Sequence, residues 1–174
     1  MKMVVQQMNS LYEYRAATID DLHSIWDKNI ADNIGDNQWV VWKDGAINDS
    51  LSGRSKTFVI VHDNKPIGEG TLLFSPECGA IDGRTDLADG VTTVNVNVLR
   101  NDKHHRGKGH ISKLVKMMEQ YAADAGYKTI TIGVEARETR NLAIYLHWGY
   151  NTFVRSEMED DDLVLYYSKE LNIK

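Results

Sequence analysis

The chain has 174 residues, a formal net charge of −5 and one cysteine, Cys78. This length predicts a single domain spanning residues 1–174 with its own hydrophobic core. The negative charge argues against a nucleic-acid-binding protein, because phosphate backbones attract basic surfaces. One cysteine cannot form an internal disulfide, and no apolar run approaches the about 20 residues of a membrane span. We therefore expect a cytoplasmic protein without a membrane partner.

The first half of the sequence predicts strands and one clear helix. The predicted strands cover residues 12–17, 57–62 and 67–74. Thr18 offers an N-cap to a helix over 19–32, in which apolar side chains recur at helical spacing. Residues 33–53 combine three glycines with an aromatic cluster, which indicates an irregular segment with room for a second short helix. The last two strands flank a turn and form a hairpin.

The second half alternates strands and helices, which predicts a mixed α/β (α+β) sheet. Its predicted strands cover residues 92–99, 128–134, 150–155 and 163–168, and its predicted helices cover 111–125 and 138–148. Residues 75–90 form a long loop rich in Gly and Asp. The acidic run 157–162 is expected to be the loop between the last two strands.

The polar loop 104–110 is the most informative segment, because it connects a strand to an amphipathic helix. Gly107 and Gly109 allow a tight turn, Arg106 and Lys108 add positive charge, and the helix N-terminus favours an anion. Together these features predict a diphosphate site. A P-loop and a dinucleotide fingerprint are excluded by the glycine spacing. A solvated turn is the alternative.

These residues resemble the pyrophosphate loop of the GNAT superfamily of acyl-CoA N-acyltransferases, whose pattern is Arg/Gln-x-x-Gly-x-Gly/Ala. Residues 106–111 match it except at Ile111, where Gly or Ala is usual. Gly149 and Tyr150 look like the family's Gly-Phe pair, and Tyr145 lies four residues before that glycine. The order of elements agrees with the family over residues 12–168.

The resemblance implies a mostly antiparallel central sheet of about seven strands, flanked by helices, whose fourth and fifth strands splay apart. It implies acetyl-CoA as co-substrate and direct attack of an amine on the thioester. Nothing in the sequence indicates a metal site, because the spacing of His104, His105 and His110 fits no usual zinc pattern. The residues expected to bind acetyl-CoA are Val96, Val98, Leu99, Arg106, Gly107, Lys108, Gly109, His110, Ile111 and Asn141.

By the same resemblance, Tyr145 protonates the departing coenzyme A thiolate. The alternative for Tyr145 is a helix aromatic that packs on the sheet. An alkylammonium must also lose a proton before it attacks, so a base is needed. Glu69 and Glu135 are the candidate bases, and either could instead face solvent. Relatives place the acceptor beside the segment after the first helix, which assigns Trp39, Trp42 and Asp44 to substrate binding.

Aromatic faces and carboxylates favour a cationic amine, either a small molecule or a peptide. The acidic segments could instead serve solubility alone. Two other functions remain open at this point. One is a non-catalytic acyl-CoA-binding regulatory domain, which turnover with any amine would exclude. The other is a nucleic-acid-binding module that uses the basic residues of 103–116, which a salt-dependent gel shift would test. A homodimer is possible, as in many relatives.

Overall fold

A computed structural model describes residues 11–172. In this part of the chain the strands are β1 (Glu13–Ala16), β2 (Ser55–His62), β3 (Lys65–Leu73), β4 (Thr93–Asn101), β5 (Thr129–Glu135), β6 (Thr152–Glu159) and β7 (Asp162–Glu170). The helices are α1 (Ile19–Asp32), α2 (Gln38–Leu51), α3 (His110–Asp124) and α4 (Thr139–His147), and Lys103–His105 form one 3₁₀ turn.

The described strands form one mixed sheet in the order β1-β2-β3-β4-β5-β7-β6. β4 and β5 pair in parallel, and every other neighbouring pair is antiparallel. Helix α3 makes the crossover between the two parallel strands, as parallel neighbours require. The mixed, mostly antiparallel sheet predicted from the sequence is therefore confirmed.

The main core lies between the sheet and α3. The apolar stripe of α3 places Leu114, Val115 and Met118 against the inward-facing side chains of the central strands, and all three are buried. This burial agrees with the helical spacing read from the sequence. It fixes the first turn of α3 at the end of the sheet where β4 finishes.

The opposite face of the sheet is covered less completely. Helix α1 begins with a capping box, in which Thr18 and Asp21 satisfy each other's backbone N–H groups. The long loop after β3 buries a second apolar cluster around Ile81 and Leu87. Helix α2 packs on α1 and β2 but has no buried residue. An open space therefore remains beneath it.

Two sequence predictions are wrong in their element boundaries. Within 33–53, where the sequence indicated an irregular segment with room for a second short helix, residues 38–51 form a full 14-residue helix, α2. The acidic run is also not a loop, because Glu157 and Glu159 belong to β6 and only Asp160 and Asp161 form the turn before β7. Alternating residues of this run are therefore fixed on one face of a strand.

Among residues 11–172, no helix combines the length and apolar character needed to cross a lipid bilayer. Within the same residues, no three His, Cys, Asp or Glu side chains are grouped so that they could hold a metal ion.

Replacing Gly133 with Ala is expected to lower the free energy of unfolding by about 1–3 kcal/mol, the usual cost of overpacking. A Cβ at this position would lie 2.7 Å from the ring of Tyr166, its partner on β7. The ring cannot move freely, because its hydroxyl bonds to Glu159 and accepts a bond from Arg84. Urea unfolding measured by circular dichroism gives the change.

The matched control is Gly45→Ala in α2, where an added Cβ meets no atom within 4 Å. Alanine in a helix interior is more favourable than glycine by about 0.5–1 kcal/mol, so this variant should be at least as stable as the wild type. Equal stability of Gly133→Ala and the wild type would show that Tyr166 yields without cost.

Candidate active site

The central sheet opens between β4 and β5. Their pairing runs from Thr93 opposite Thr129 to Val96 opposite Ile132 and then ends. β4 continues along β3 to Asn101, and β5 continues along β7. Within the described residues, β4 from Asn97 onward has no strand on its β5 side. We call this opening the notch, and its backbone N–H and C=O groups can bind an extended ligand.

A β-bulge shapes the β4 edge of the notch. Thr71 pairs with Asn97 and Gly70 pairs with Leu99, so Val98 is an extra residue between them. Its φ is 56°, in the left-handed region. A β-branched residue held there stores strain of about 1–3 kcal/mol, which persists only where the surrounding structure imposes it and often marks a functional site.

The loop after β4 leads into the N-terminus of α3. Gly107 and Gly109 have φ of 77° and 78°, which side chains other than glycine rarely adopt. Gly109 is the N-cap of α3, and its carbonyl accepts from Lys113. The N–H groups of the first helical turn have no intrahelical acceptor, and the helix dipole makes this end positive. The loop is therefore built to bind an anion.

The basic side chains of the loop differ in their exposure. Arg106 and Lys108 are exposed, and the Lys108 ammonium donates to the Tyr12 hydroxyl at 3.0 Å. The His110 ring is buried, with its Nδ1 2.6 Å from the Tyr14 hydroxyl. Burial, together with nearby cations, lowers the His110 pKa and keeps the ring neutral. His110 can therefore offer a ligand its backbone N–H but not a cationic side chain.

Four further residues predicted to bind the cofactor have other contacts in the structure. Val96 is buried in the main core, and its backbone pairs with both neighbouring strands. Ile111 and Leu99 are partly buried against the same core. The Asn141 amide donates to Glu138 at the start of α4. The open stretch of β4 therefore begins after Val96, one residue later than the sequence predicted.

Tyr145 lies on α4, half-buried, and packs against the main core. Its ring centroid lies 5.8 Å from that of Trp148. Burial raises the pKa of the Tyr145 hydroxyl, and the nearby charge of Glu138 raises it further. The phenol is therefore protonated at neutral pH, as a proton donor must be.

Glu69 is a buried carboxylate on the side of the sheet that faces α1 and α2. It lies on β3 opposite Arg100 of β4, and only 6% of its surface is exposed. The Arg100 Nε lies 3.1 Å from a Glu69 oxygen, and Arg100 also donates to Asn29 of α1. Burial raises the Glu69 pKa more than the guanidinium lowers it. A carboxylate with a raised pKa is suited to accept a proton.

Glu135, the other candidate base, lies at the end of β5. One of its oxygens accepts from the Arg137 Nε at 2.8 Å, and Arg137 also bonds to Asp162. Glu135 is only partly buried. This ion pair and its exposure make Glu135 a weaker candidate than Glu69.

Two cavities meet at the bulge. The first, the aromatic cavity, has a volume of about 600 Å³ and is bordered by α1, α2, β2, β3, β4 and the loop after β3. Its lining includes Trp26, Trp39, Trp42, Asp49, Glu69 and Arg100. Asn97 and Val98 line both cavities. A molecule in the aromatic cavity therefore reaches the β4 edge of the notch.

The second, the acidic cavity, has a volume of about 710 Å³ and lies between β4, β5, β6 and β7. Three of its lining carboxylates, Glu135, Glu157 and Glu159, are paired with arginines. Arg84 binds Glu157 and Glu159, and Arg155 binds Glu157 and Asp86. Glu157 and Glu159 of the acidic run are therefore paired with two arginines outside it, Arg84 and Arg155.

Two of the three residues predicted to bind the acceptor line the aromatic cavity. Trp39 and Trp42 line the aromatic cavity, whereas Asp44 is exposed on α2 and does not line it. The sequence did not indicate three further residues that line this cavity, Trp26, Asp49 and Arg100. Trp26 fits the apolar stripe of α1 and is read as a core residue, and the pairing of Arg100 depends on a strand register that a sequence does not show.

Cys78 also lines the aromatic cavity. Its side chain is buried, and its thiol donates to the Arg54 carbonyl. Burial raises the pKa of the thiol, which reduces the thiolate fraction at neutral pH. Cys78 is therefore a structural residue and a poor nucleophile.

The notch, the anion-binding loop and the mixed sheet form the arrangement of an acetyltransferase. The model of the acetyltransferase (GNAT) family matches residues 18–150, and the chain belongs to this family. This membership confirms the resemblance found in the sequence. No curated protein matches the chain.

Solved structures with the same fold have low sequence identity to this chain. An N-acetyltransferase from Staphylococcus aureus Mu50 has a TM-score of 0.64 and 17% identity, over 94% of this chain and 100% of that one. A GNAT acetyltransferase from Elizabethkingia anophelis with acetyl-CoA bound has a TM-score of 0.59 and 14% identity, over 94% and 100%. PaiA N-acetyltransferase from Thermoplasma acidophilum in complex with coenzyme A has a TM-score of 0.60 and 16% identity, over 92% and 99%.

Proposed function

We propose that the protein transfers an acetyl group from acetyl-CoA to the amino group of a cationic small-molecule or peptide amine. The observation that carries the proposal is the meeting of the notch with two cavities at Asn97 and Val98. When acetyl-CoA lies along the open edge of β4 and the amine lies in the aromatic cavity, the thioester and the amino group meet at these two residues. The two neighbours solved with acetyl-CoA or coenzyme A support this co-substrate.

The loop before α3 binds the pyrophosphate. The N–H groups of the first turn donate to the phosphate oxygens, and Arg106 and Lys108 supply positive charge. The unpaired backbone groups of β4 after Val96 bind the pantetheine amides. A backbone N–H near the bulge then stabilises the negative charge that develops on the thioester oxygen.

Two proton transfers complete the reaction. An alkylammonium has a pKa near 10.4, so roughly one part in a thousand is free amine at neutral pH. Glu69 removes the proton, directly or through water, from an amine in the aromatic cavity. Tyr145 gives its proton to the coenzyme A sulfur as the C–S bond breaks. A free thiol has a pKa near 8.5 and free tyrosine a pKa near 10. Burial raises the Tyr145 pKa further, so the phenol is the weaker acid and gives up its proton only as negative charge develops on the sulfur.

Acetyl-CoA is expected to raise the melting temperature of the wild type, and Arg106→Ala is expected to reduce that rise. A ligand present at one hundred times its Kd stabilises the folded protein by about 2.7 kcal/mol. Removing the exposed Arg106 cation weakens the anion site and should leave the melting temperature of the free protein unchanged. Differential scanning fluorimetry across an acetyl-CoA titration measures both effects.

The matched control is Lys128→Ala, which removes an exposed cation just before β5, at the end of the sheet away from the loop. This variant should keep the full acetyl-CoA response. No shift of the wild type at millimolar acetyl-CoA would refute the proposed co-substrate. Release of coenzyme A thiol with any amine then tests transfer itself and excludes a domain that only binds acyl-CoA.

A further inference from the structure

The tryptophan side chains that line the aromatic cavity are only partly covered by other protein groups. Trp42 is 43% exposed, and Trp26 and Trp39 are only half-buried. The Trp39 ring centroid lies 5.1 Å from that of Trp42 and 6.3 Å from that of Trp26, so the three rings form one wall. A 14-residue helix normally buries an apolar stripe, yet α2 buries none of its residues. A ligand in the cavity would complete this packing.

The charged groups of the same cavity are few. At the end of the cavity near β4, Glu69 is buried and lies next to Arg100. The other lining carboxylate, Asp49, is held by Arg54 at 2.9 Å. Glu69 is therefore the carboxylate closest in the strand register to the bulge at Val98. The cavity thus offers one buried acidic group at the notch and an apolar, aromatic wall farther out.

We infer that the acceptor is a small arylalkylamine, whose aromatic body lies against Trp26, Trp39 and Trp42 while its amine is directed to Glu69 and the notch. The inference rests on the proposed function and narrows its acceptor. The cavity volume of about 600 Å³ is typical of small-molecule sites, and five elements and a loop border the cavity. A polyamine carries several ammonium groups, whereas Asp49 and Glu69 are the two carboxylates among the described residues that line this cavity, and Asp49 is held by Arg54.

The test compares acceptors with similar ammonium groups but different bodies. Phenethylamine and tryptamine represent the proposed class, spermidine represents polyamines, and a short peptide with one lysine represents protein acceptors. Burial of an aromatic ring is expected to give the arylalkylamines at least about a tenfold advantage in kcat/KM. Trp42→Ala should reduce kcat/KM for phenethylamine by about tenfold, and Trp42→Phe should retain most of it.

Val40→Ala is the matched control, because Val40 lies on α2 but is exposed and does not line the cavity. Neither Val40→Ala nor Trp42→Ala should change the KM for acetyl-CoA. Quenching of tryptophan fluorescence by phenethylamine without acetyl-CoA measures binding independently of turnover, and Trp42→Ala should weaken it.

The outcomes separate this inference from the proposed function. Efficient acetylation of spermidine or the peptide, with weak acetylation of both arylalkylamines, would refute the inference and leave the function standing. Saturable phenethylamine binding that depends on Trp42, without acetylation of any amine, would support the cavity assignment and refute the function. Equal kcat/KM values for all four acceptors would refute the aromatic recognition.

Discussion

Glu69→Gln is expected to lower kcat by about 10²–10³-fold, the usual contribution of a positioned general base. The variant keeps the size and the buried position of the side chain but cannot accept the amine proton. The KM for acetyl-CoA should not change, because the cofactor loop is untouched. Steady-state kinetics with a saturating amine, followed by coenzyme A thiol release, measures the loss.

The rival base provides the matched control. Glu135→Gln also removes one carboxylate charge, but that group is already engaged by Arg137 at the end of β5. We expect its kcat to stay within about threefold of the wild type, because the proposed mechanism assigns the proton transfer to Glu69. A large loss in Glu135→Gln with full activity in Glu69→Gln would place the base in the acidic cavity.

The raised pKa of Glu69 also predicts how stability depends on pH. Burial places the folded-state pKa above the unfolded value, so folding favours the protonated acid. The favourable contribution is present below the unfolded pKa and is lost as the pH rises through the folded pKa. As the pH rises from the unfolded-state pKa of Glu69 through its folded-state pKa, the melting temperature of the wild type should therefore fall relative to that of Glu69→Gln. In the same interval kcat/KM should rise as Glu69 ionises.

The turn and helix start proposed to bind the cofactor could be predicted from sequence because their signals are local. The glycine spacing of 106–109 and the stripe of α3 depend on neighbouring residues, and Gly107 and Gly109 form the predicted turn, both with positive φ. The position of Tyr145 relative to Gly149 followed from family resemblance. No side-chain contact between distant strands was needed for any of these predictions.

The aromatic cavity, proposed to bind the acceptor, could not be predicted in the same way. Helix α2 has a glycine in its interior, and its sequence shows little helical periodicity. In the structure it has no side-chain hydrogen bond at its N-cap and no buried residue. The pairing of Glu69 with Arg100 depends on a register that the bulge at Val98 shifts by one residue. Such tertiary features follow from how the strands meet, which local patterns do not encode.

Tyr145→Phe is expected to lower kcat by about 10²-fold while leaving acetyl-CoA binding unchanged. The ring and its packing on the core remain, and only the hydroxyl proposed to protonate the coenzyme A sulfur is lost. Because burial raises the Tyr145 pKa, the phenol stays protonated through neutral pH, and the wild type should show no loss of activity from its ionisation there. Kinetics and the acetyl-CoA thermal shift of the variant test both statements.

Tyr150→Phe is the matched control for Tyr145→Phe, because it also removes one tyrosine hydroxyl, five residues further along the chain. The pair separates an effect on catalysis from an effect on stability. Tyr150 is fully buried, and its hydroxyl donates to Glu119 at 2.9 Å. Its removal should lower the free energy of unfolding by about 1–2 kcal/mol and leave kcat nearly unchanged. Tyr145→Phe should show the opposite pattern, with full stability and low kcat. If Tyr145→Phe keeps full activity, Tyr145 is a packing residue, and the thiolate must leave unprotonated or take its proton from water.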